Sequence, residues 1–176
     1  MRVAWTIAPL AALAVLGAGG AVADAPAPTK PVDLRKYYGR WYEVARVPNQ
    51  FEKGLACSAP TADYEEDDQG AVTVVQTCHQ HSARGPEKVY RAAAKILDPG
   101  VNAKFRLTFY LVMSKEYWVI DHAQDYRWAI VGDPTGRFVW LFSRQPALSH
   151  DTRDSLLARV RALGYDPAKL EFPVQG

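Results

Sequence analysis

The hydrophobic pattern over residues 41–143 is a series of short apolar segments separated by turn residues, and it predicts eight β-strands. The predicted strands span 41–47, 61–65, 71–77, 88–96, 104–112, 117–121, 126–131 and 138–143. The connections are mostly short and contain Gly, Pro, Asp or Ser, which is typical of antiparallel hairpins. Regularly spaced strands of this kind favour a sandwich or a closed barrel.

A single amphipathic helix is predicted after the last strand. Ser149 can cap its start, Gly164 stands where a left-handed cap is expected, and Pro167 prevents continuation. Its apolar stripe has four members at helical spacing: Leu156, Leu157, Val160 and Leu163. We expect this helix to pack on the outside of the sheet, and a partner-binding helix is the alternative.

The last predicted strand is apolar on both of its faces. In residues 138–142 every position is apolar, so neither face is expected to meet water. One face would point into a barrel and the other would lie under the helix. Together these features predict a mostly β protein, an eight-stranded antiparallel up-and-down barrel whose interior can hold one small ligand.

The first 23 residues have the pattern of a secretory signal peptide. An arginine at the start is followed by a run of small and apolar residues over 3–20 and by a small-x-small cleavage site. A transmembrane helix is the alternative, and Pro9 and the glycine-rich end of the run argue against it. Residues 24–31 then form an irregular lead-in, and residues 32–176 form one domain.

Charge and cysteine content narrow the functional classes further. The formal net charge is only +2 and the basic residues are scattered, so no nucleic-acid partner is expected. Export would carry the two cysteines, Cys57 and Cys78, into an oxidising compartment, where a disulfide is expected. A hairpin centred between Asp68 and Gln69 places Cys57 opposite about residue 80, next to Cys78. No cysteine lies near the cleavage site, so we expect a soluble periplasmic or secreted protein.

Two blocks of the sequence resemble the lipocalin family. Residues 39–46, with Gly39 and Trp41, are similar to the Gly-x-Trp signature that opens the first strand of that family. Residues 47–54 are similar to the apolipoprotein D and bacterial lipocalin branch. Residues 126–146 resemble the last two strands and their terminal arginine, Arg144. The middle Thr-Asp-Tyr motif is only partly present, because a glutamine takes the place of the threonine.

The resemblance implies a closed barrel end and an apolar cavity. Arg144 is expected to lie over the Trp41 indole, and both residues would stabilise the barrel rather than bind ligand. The cavity is expected to bind a small hydrophobic ligand of fatty acid or lysophospholipid type, with no cofactor, in support of cell-envelope lipid handling. Peripheral membrane contact fits this role. The candidate pocket residues are Phe51 as part of a lid, Tyr110, Tyr117, Trp128 and Trp140.

Catalysis is the main alternative, and we expect that the protein is not an enzyme. A thiolate of Cys57 or Cys78 would suit a lipocalin-type isomerase or lyase, and His79 and His81 could face one metal from the same strand. No nucleophile elbow or phosphate-binding glycine loop follows the predicted signal peptide. A third interpretation is a surface-interaction protein whose ligand is incidental. The sequence leaves open the oligomeric state and which strand faces point inward.

Overall fold

The part of the chain that the structure describes forms eight antiparallel strands that close into a barrel. The computed structural model describes residues 24–50, 54 and 56–176, so the predicted signal peptide and Phe51 lie outside the described residues. The strands are β1 (Gly39–Arg46), β2 (Cys57–Glu66), β3 (Val72–Gln80), β4 (Glu87–Ile96), β5 (Lys104–Phe109), β6 (Met113–His122), β7 (Trp128–Gly132) and β8 (Val139–Ser143). Each strand pairs with the next along the chain, and β8 closes the barrel on β1. The predicted fold class is confirmed.

Within the described residues, two helices and a short 3-10 segment accompany the barrel. Helix α1 (Leu34–Tyr37) precedes β1, helix α2 (His150–Ala162) follows β8, and the 3-10 segment spans Pro167–Lys169. As predicted, the Ser149 side chain caps α2 by accepting from the Thr152 amide at 3.3 Å. No helix in the described ranges has the length and apolar character needed to cross a membrane.

The strands separate two apolar clusters, one inside the barrel and one beneath α2. In β8, Trp140 and Phe142 belong to the interior cluster, whereas Val139 and Leu141 belong to the outer one. Leu156 of α2 packs in that outer cluster and is fully buried, which contributes about 1.5–3 kcal/mol. This arrangement explains why both faces of β8 are apolar.

The turn between β5 and β6 lies earlier than the sequence predicts. The predicted strands end at residue 112 and resume at residue 117, but β5 ends at Phe109 and β6 begins at Met113. The turn is tight because Tyr110 and Leu111 adopt positive φ angles of 50° and 64°. It carries no Gly, Pro or Asn, so residue type alone cannot locate it.

The start of β7 also differs from the prediction, with a consequence for which side chains face inward. Tyr126 was expected to open the strand, yet its φ of 57° places it in the preceding turn. It joins the interior cluster, stacks on His122 at 4.4 Å between ring centroids and accepts a hydrogen bond from the Asp33 amide. Trp128 and Ile130 belong to the outer cluster. In a regular strand Tyr126, Trp128 and Ile130 would share one face, and the left-handed φ of Tyr126 separates it from the other two.

The expected disulfide joins the start of β2 to the end of β3. Cys57 and Cys78 are bonded, with their Cα atoms 5.5 Å apart. Cys57 pairs with Gln80, the register predicted from the position of the hairpin turn, and Cys78 is its diagonal neighbour. The predicted pairing is confirmed.

Removing this disulfide should destabilise the barrel. The bond closes a loop between residues 21 apart, so the double substitution Cys57→Ala with Cys78→Ala should lower the free energy of unfolding by about 3 kcal/mol. Urea denaturation followed by tryptophan fluorescence measures this. The unmodified chain in reductant should match the double variant, and equal stability of the oxidised chain and the variant would contradict the prediction.

Candidate ligand-binding site

One end of the barrel is closed by Trp41 and Arg144. Trp41, on β1, is 0% exposed, and its indole N–H donates to the Tyr37 carbonyl at 2.7 Å. Arg144, immediately after β8, places its guanidinium carbon 3.6 Å from the centre of the indole ring. Its two terminal nitrogens donate to four backbone carbonyls, those of Lys36, Tyr37, Tyr38 and Arg40. These contacts tie α1, β1 and the end of β8 together.

Gly39 allows the chain to turn from α1 into β1 at this closed end. Its φ is +89°, a conformation that residues with a Cβ rarely adopt. A Cβ there would lie 3.7 Å from an Arg144 nitrogen, so the backbone angle rather than crowding requires glycine.

Packed aromatic rings fill the adjoining part of the interior. Tyr37 stacks on Phe105 at 5.6 Å and meets Tyr64 edge-on at 5.1 Å. Burial raises the pKa of Tyr64 to about 12 and raises the pKa of Tyr37 well above its ordinary value. The packed rings block ligand entry at this end, so a ligand would enter from the opposite end.

A cavity of about 80 Å³ lies toward that opposite end. The aromatic side chains that line it are Tyr90, Tyr117, Trp140 and Phe142. The Tyr117 and Trp140 rings are 5.2 Å apart and tilted by 50°. The volume is below the ~300 Å³ at which small-molecule pockets usually begin. A lipid-sized ligand therefore requires these side chains to move apart as it enters.

A β-bulge in β1 turns two charged side chains into the cavity. Glu43 pairs with Phe142 and Ala45 pairs with Leu141, so Val44 is the extra residue. In a regular strand, Glu43 and Arg46 would point to opposite faces. Because of the bulge both line the cavity, while Val44 and Ala45 join the outer cluster.

Glu43 and Arg46 form a buried ion pair. An Arg46 nitrogen donates to a Glu43 carboxylate oxygen at 2.7 Å, and a second nitrogen donates to the Cys57 carbonyl at 3.1 Å. The Arg46 side chain is only 6% exposed and the Glu43 side chain only 14%. Removing such a pair from water costs free energy that the mutual attraction does not always recover. The pair therefore places two charged groups in a cavity whose other lining residues include four aromatic side chains and the polar Asn49, Gln76 and Thr77.

The predicted pocket residues separate into distinct locations. Tyr117 and Trp140 line the cavity, and Tyr110 lies in the exposed β5–β6 turn. Trp128 packs outside the barrel, with the Arg159 guanidinium 5.0 Å from its ring centre. This position corrects the inclusion of Trp128, because its side chain packs against the outer cluster beneath α2 and not in the barrel interior. Phe51 lies outside the described residues.

The structure offers no support for metal binding by His79 and His81 or for thiol chemistry at Cys57 and Cys78 among the described residues. A ring nitrogen of His79 lies 3.0 Å from the Gly85 carbonyl, and His81 adopts a positive φ of 67° just beyond β3. Within the described ranges, no group of three or more His, Cys, Asp or Glu side chains could hold a metal ion. Both sulfurs are bonded to each other, so neither can act as a thiolate while the disulfide is intact.

Sequence reasoning missed Glu43 and Arg46 as pocket residues. Both lie in the block that resembles the lipocalin signature, yet strand alternation assigns them to opposite faces. The bulge at Val44 is set by pairing with β8, about a hundred residues away. The local signal for their position in the cavity is weak: an acidic and a basic residue stand among mostly apolar residues in the second half of β1.

An eight-stranded up-and-down barrel with one plugged end, and a cavity with aromatic and charged lining toward the other, defines a small-molecule-binding barrel. The family model described as a lipocalin-like domain matches residues 32–175. The chain therefore belongs to the lipocalin family, which binds small hydrophobic ligands.

Curated relatives agree with this assignment, and a solved structure shares the fold. The chain is 28% identical to the outer membrane lipoprotein Blc of Vibrio cholerae over 154 residues, covering 85% of this chain and 88% of the relative. It is 30% identical to mouse apolipoprotein D over 156 residues, covering 81% and 79%. Insecticyanin from the tobacco hornworm superposes with a TM-score of 0.68 at 20% identity, covering 86% of each chain. That likeness shows the shared fold.

Proposed function

We propose that the barrel binds and stores or transports a small amphiphile of fatty acid or lysophospholipid type in support of cell-envelope lipid handling. The observation that carries the proposal is the combination, in one cavity, of aromatic walls and the Glu43–Arg46 ion pair. An acyl chain gains about 25 cal/mol for each Å² of apolar surface removed from water. The ion pair supplies partners for the ionic group of the same molecule.

The two ends of the barrel set the orientation of this ligand. The closed end is filled by Trp41, Tyr37 and Phe105, so the acyl chain enters first and points toward them. The headgroup then remains near Arg46, whose guanidinium can exchange its Glu43 contact for a ligand carboxylate or phosphate. A wholly apolar ligand would make no ionic contact with the pair. For such a ligand, apolar residues of similar volume in place of Glu43 and Arg46 would often give equal or greater stability.

The location consistent with this function is the periplasm or the exterior of the cell. The Cys57–Cys78 bond supports this proposal, because structural disulfides persist in oxidising compartments. The Vibrio cholerae relative is named an outer membrane lipoprotein, which also places a relative in the cell envelope.

Native mass spectrometry of the purified protein, followed by organic extraction, tests the proposed function. We expect a lipid-like adduct that extraction removes, and uptake of added oleic acid by the extracted protein. If no adduct appears and neither oleic acid nor oleyl alcohol binds, the ligand-binding function is overturned. The interpretation of a surface-interaction protein would then be favoured.

Replacing Arg46 should alter ligand preference rather than abolish binding. Arg46→Met removes a charge-assisted hydrogen bond, so the affinity for oleic acid should fall about tenfold or more while that for oleyl alcohol changes little. Glu43→Gln removes a competing carboxylate and should strengthen oleic acid binding. Displacement of a fluorescent fatty acid measures both affinities.

A surface ion pair provides the matched control. Arg106 donates to Glu116 at 2.7 Å on the outside of the barrel, so Arg106→Met removes an arginine from a similar pair without touching the cavity. It should leave both affinities unchanged. An equal loss of acid and alcohol binding in a folded Arg46→Met protein would show that Arg46 does not contact the headgroup.

A further inference from the structure

The β5–β6 turn carries an unusual run of exposed apolar side chains. Tyr110, Leu111, Val112 and Met113 are 68%, 93%, 86% and 52% exposed. We refer to these four residues as the apolar tip. Isolated exposed apolar residues are common on protein surfaces, but four in succession on one exposed turn form a continuous patch.

The backbone of the apolar tip suits other residues better. Tyr110 and Leu111 hold left-handed φ angles of 50° and 64°. Consecutive left-handed residues in a hairpin turn are ordinarily Asn-Gly or a similar pair, because a bulky side chain disfavours this conformation. In the isolated protein, both solvent exposure and the left-handed backbone disfavour large apolar residues at Tyr110 and Leu111.

The apolar tip lies at the same end of the barrel as the cavity mouth. β1 runs from the closed end at Trp41 toward Arg46, which lines the cavity. In an up-and-down barrel all odd-numbered strands run in one direction, so β5 also ends at the open end. β6 returns from the apolar tip and contributes Tyr117 to the cavity wall. The patch therefore stands at the rim of the ligand entrance.

The charges around the apolar tip favour a lipid surface as its partner. Arg91 precedes Ala92, the β4 residue that pairs with Phe109, and Lys115 follows Met113 by two residues; both cations are exposed. Lys88 is also exposed further along β4, beside the acidic Glu87. The nearby Glu116 is held by Arg106 at 2.7 Å, which reduces its effect on these cations. Apolar side chains flanked by lysine and arginine match the acyl boundary and the phosphates of an anionic bilayer. Four residues of one turn are a small part of the ~800 Å² per partner that a stable dimer needs.

We propose that the apolar tip docks the open end of the barrel onto an anionic lipid surface. Leu111 and Val112 enter the boundary between headgroups and acyl chains, and Lys88, Arg91 and Lys115 bind lipid phosphates. With the cavity mouth facing the bilayer, a ligand exchanges between the two without crossing water. Docking goes beyond ligand binding, and it is measured separately from occupancy of the cavity.

Vesicle co-flotation of a paired substitution tests this proposal. The vesicles contain equal parts of phosphatidylcholine and phosphatidylglycerol, with phosphatidylcholine vesicles for comparison. Tyr110→Asn combined with Leu111→Gly places favoured residues at both left-handed positions, so the thermal midpoint should rise. The affinity of the same variant for the anionic vesicles should fall by about tenfold or more, because the apolar anchor is lost. A merely structural role for the turn would not move these two readouts in opposite directions.

Two further variants complete the experiment. Val174→Asn changes another exposed apolar residue, 70% exposed in the C-terminal segment, and should leave vesicle binding unchanged. Lys88→Gln with Lys115→Gln should weaken binding to anionic vesicles and reduce its dependence on salt. Oleic acid binding in the absence of vesicles should be normal in every variant, so failure of docking is distinguished from failure of the proposed function.

Three outcomes would overturn the proposal. The first is that the unmodified protein does not float with anionic vesicles. The second is that the Tyr110→Asn, Leu111→Gly variant floats as well as the unmodified protein. The third is that the unmodified protein forms a dimer in sedimentation that this variant does not form, which would make a second copy of the chain the occupant of the apolar tip.

Discussion

Replacing Trp41 with alanine is expected to lower the free energy of unfolding by about 3–5 kcal/mol. The indole is 0% exposed, donates to the Tyr37 carbonyl at 2.7 Å and lies beneath the Arg144 guanidinium. Its loss would leave a large void at the closed end and remove the surface on which Arg144 rests. Because domains of this size are stable by only about 5–15 kcal/mol, urea denaturation should detect the change readily.

Arg144→Lys provides a graded control for this prediction. A lysine keeps the charge but lacks the planar fork that reaches four carbonyls, so we expect a smaller loss of about 1.5–3 kcal/mol. The ratio of oleic acid to oleyl alcohol affinity should stay unchanged in both variants, since they alter the plugged end. A Trp41→Ala protein of normal stability with altered ligand preference would contradict the structural role of this pair.

The architecture could be predicted from the sequence because its signals are local. Apolar segments and turn residues identify eight strands, and the apolar stripe around Leu156 identifies the covering helix. The β2–β3 hairpin shows how far such signals extend. Its polar turn sets the register, and the register places Cys57 opposite Gln80 and beside Cys78.

The cavity lining was less predictable because two local irregularities change which side chains face inward. The left-handed Tyr126 uncouples its own direction from that of Trp128, and the bulge at Val44 brings Glu43 and Arg46 onto the same face. Neither irregularity has a glycine or proline to mark it. The bulge depends on pairing with β8, and the Tyr126 hydroxyl accepts from the Asp33 amide far along the chain, so a local period-two pattern cannot anticipate either one.

Alkaline solution should unfold the barrel through its buried tyrosines. Burial raises the pKa of Tyr64 to about 12, and burial together with Asp133 raises the pKa of Tyr165 to about 12. An unfolded tyrosine has a pKa of about 10. Below pH ~10 both states hold the proton and stability does not depend on these groups. Between pH ~10 and ~12 only the unfolded state loses it, so stability falls by about 1.4 kcal/mol per pH unit for each group.

Phenylalanine substitutions identify the tyrosines that cause this loss. The Tyr64→Phe, Tyr165→Phe double variant cannot ionise at these positions, so its unfolding midpoint should lie at higher pH than that of the unmodified protein. At neutral pH, Tyr165→Phe should cost little, because the buried Tyr165 hydroxyl has no hydrogen-bond partner among the described residues. Circular dichroism and tyrosinate absorbance across an alkaline titration measure unfolding and ionisation together. Identical midpoints for the double variant and the unmodified protein would show that other groups drive the alkaline transition.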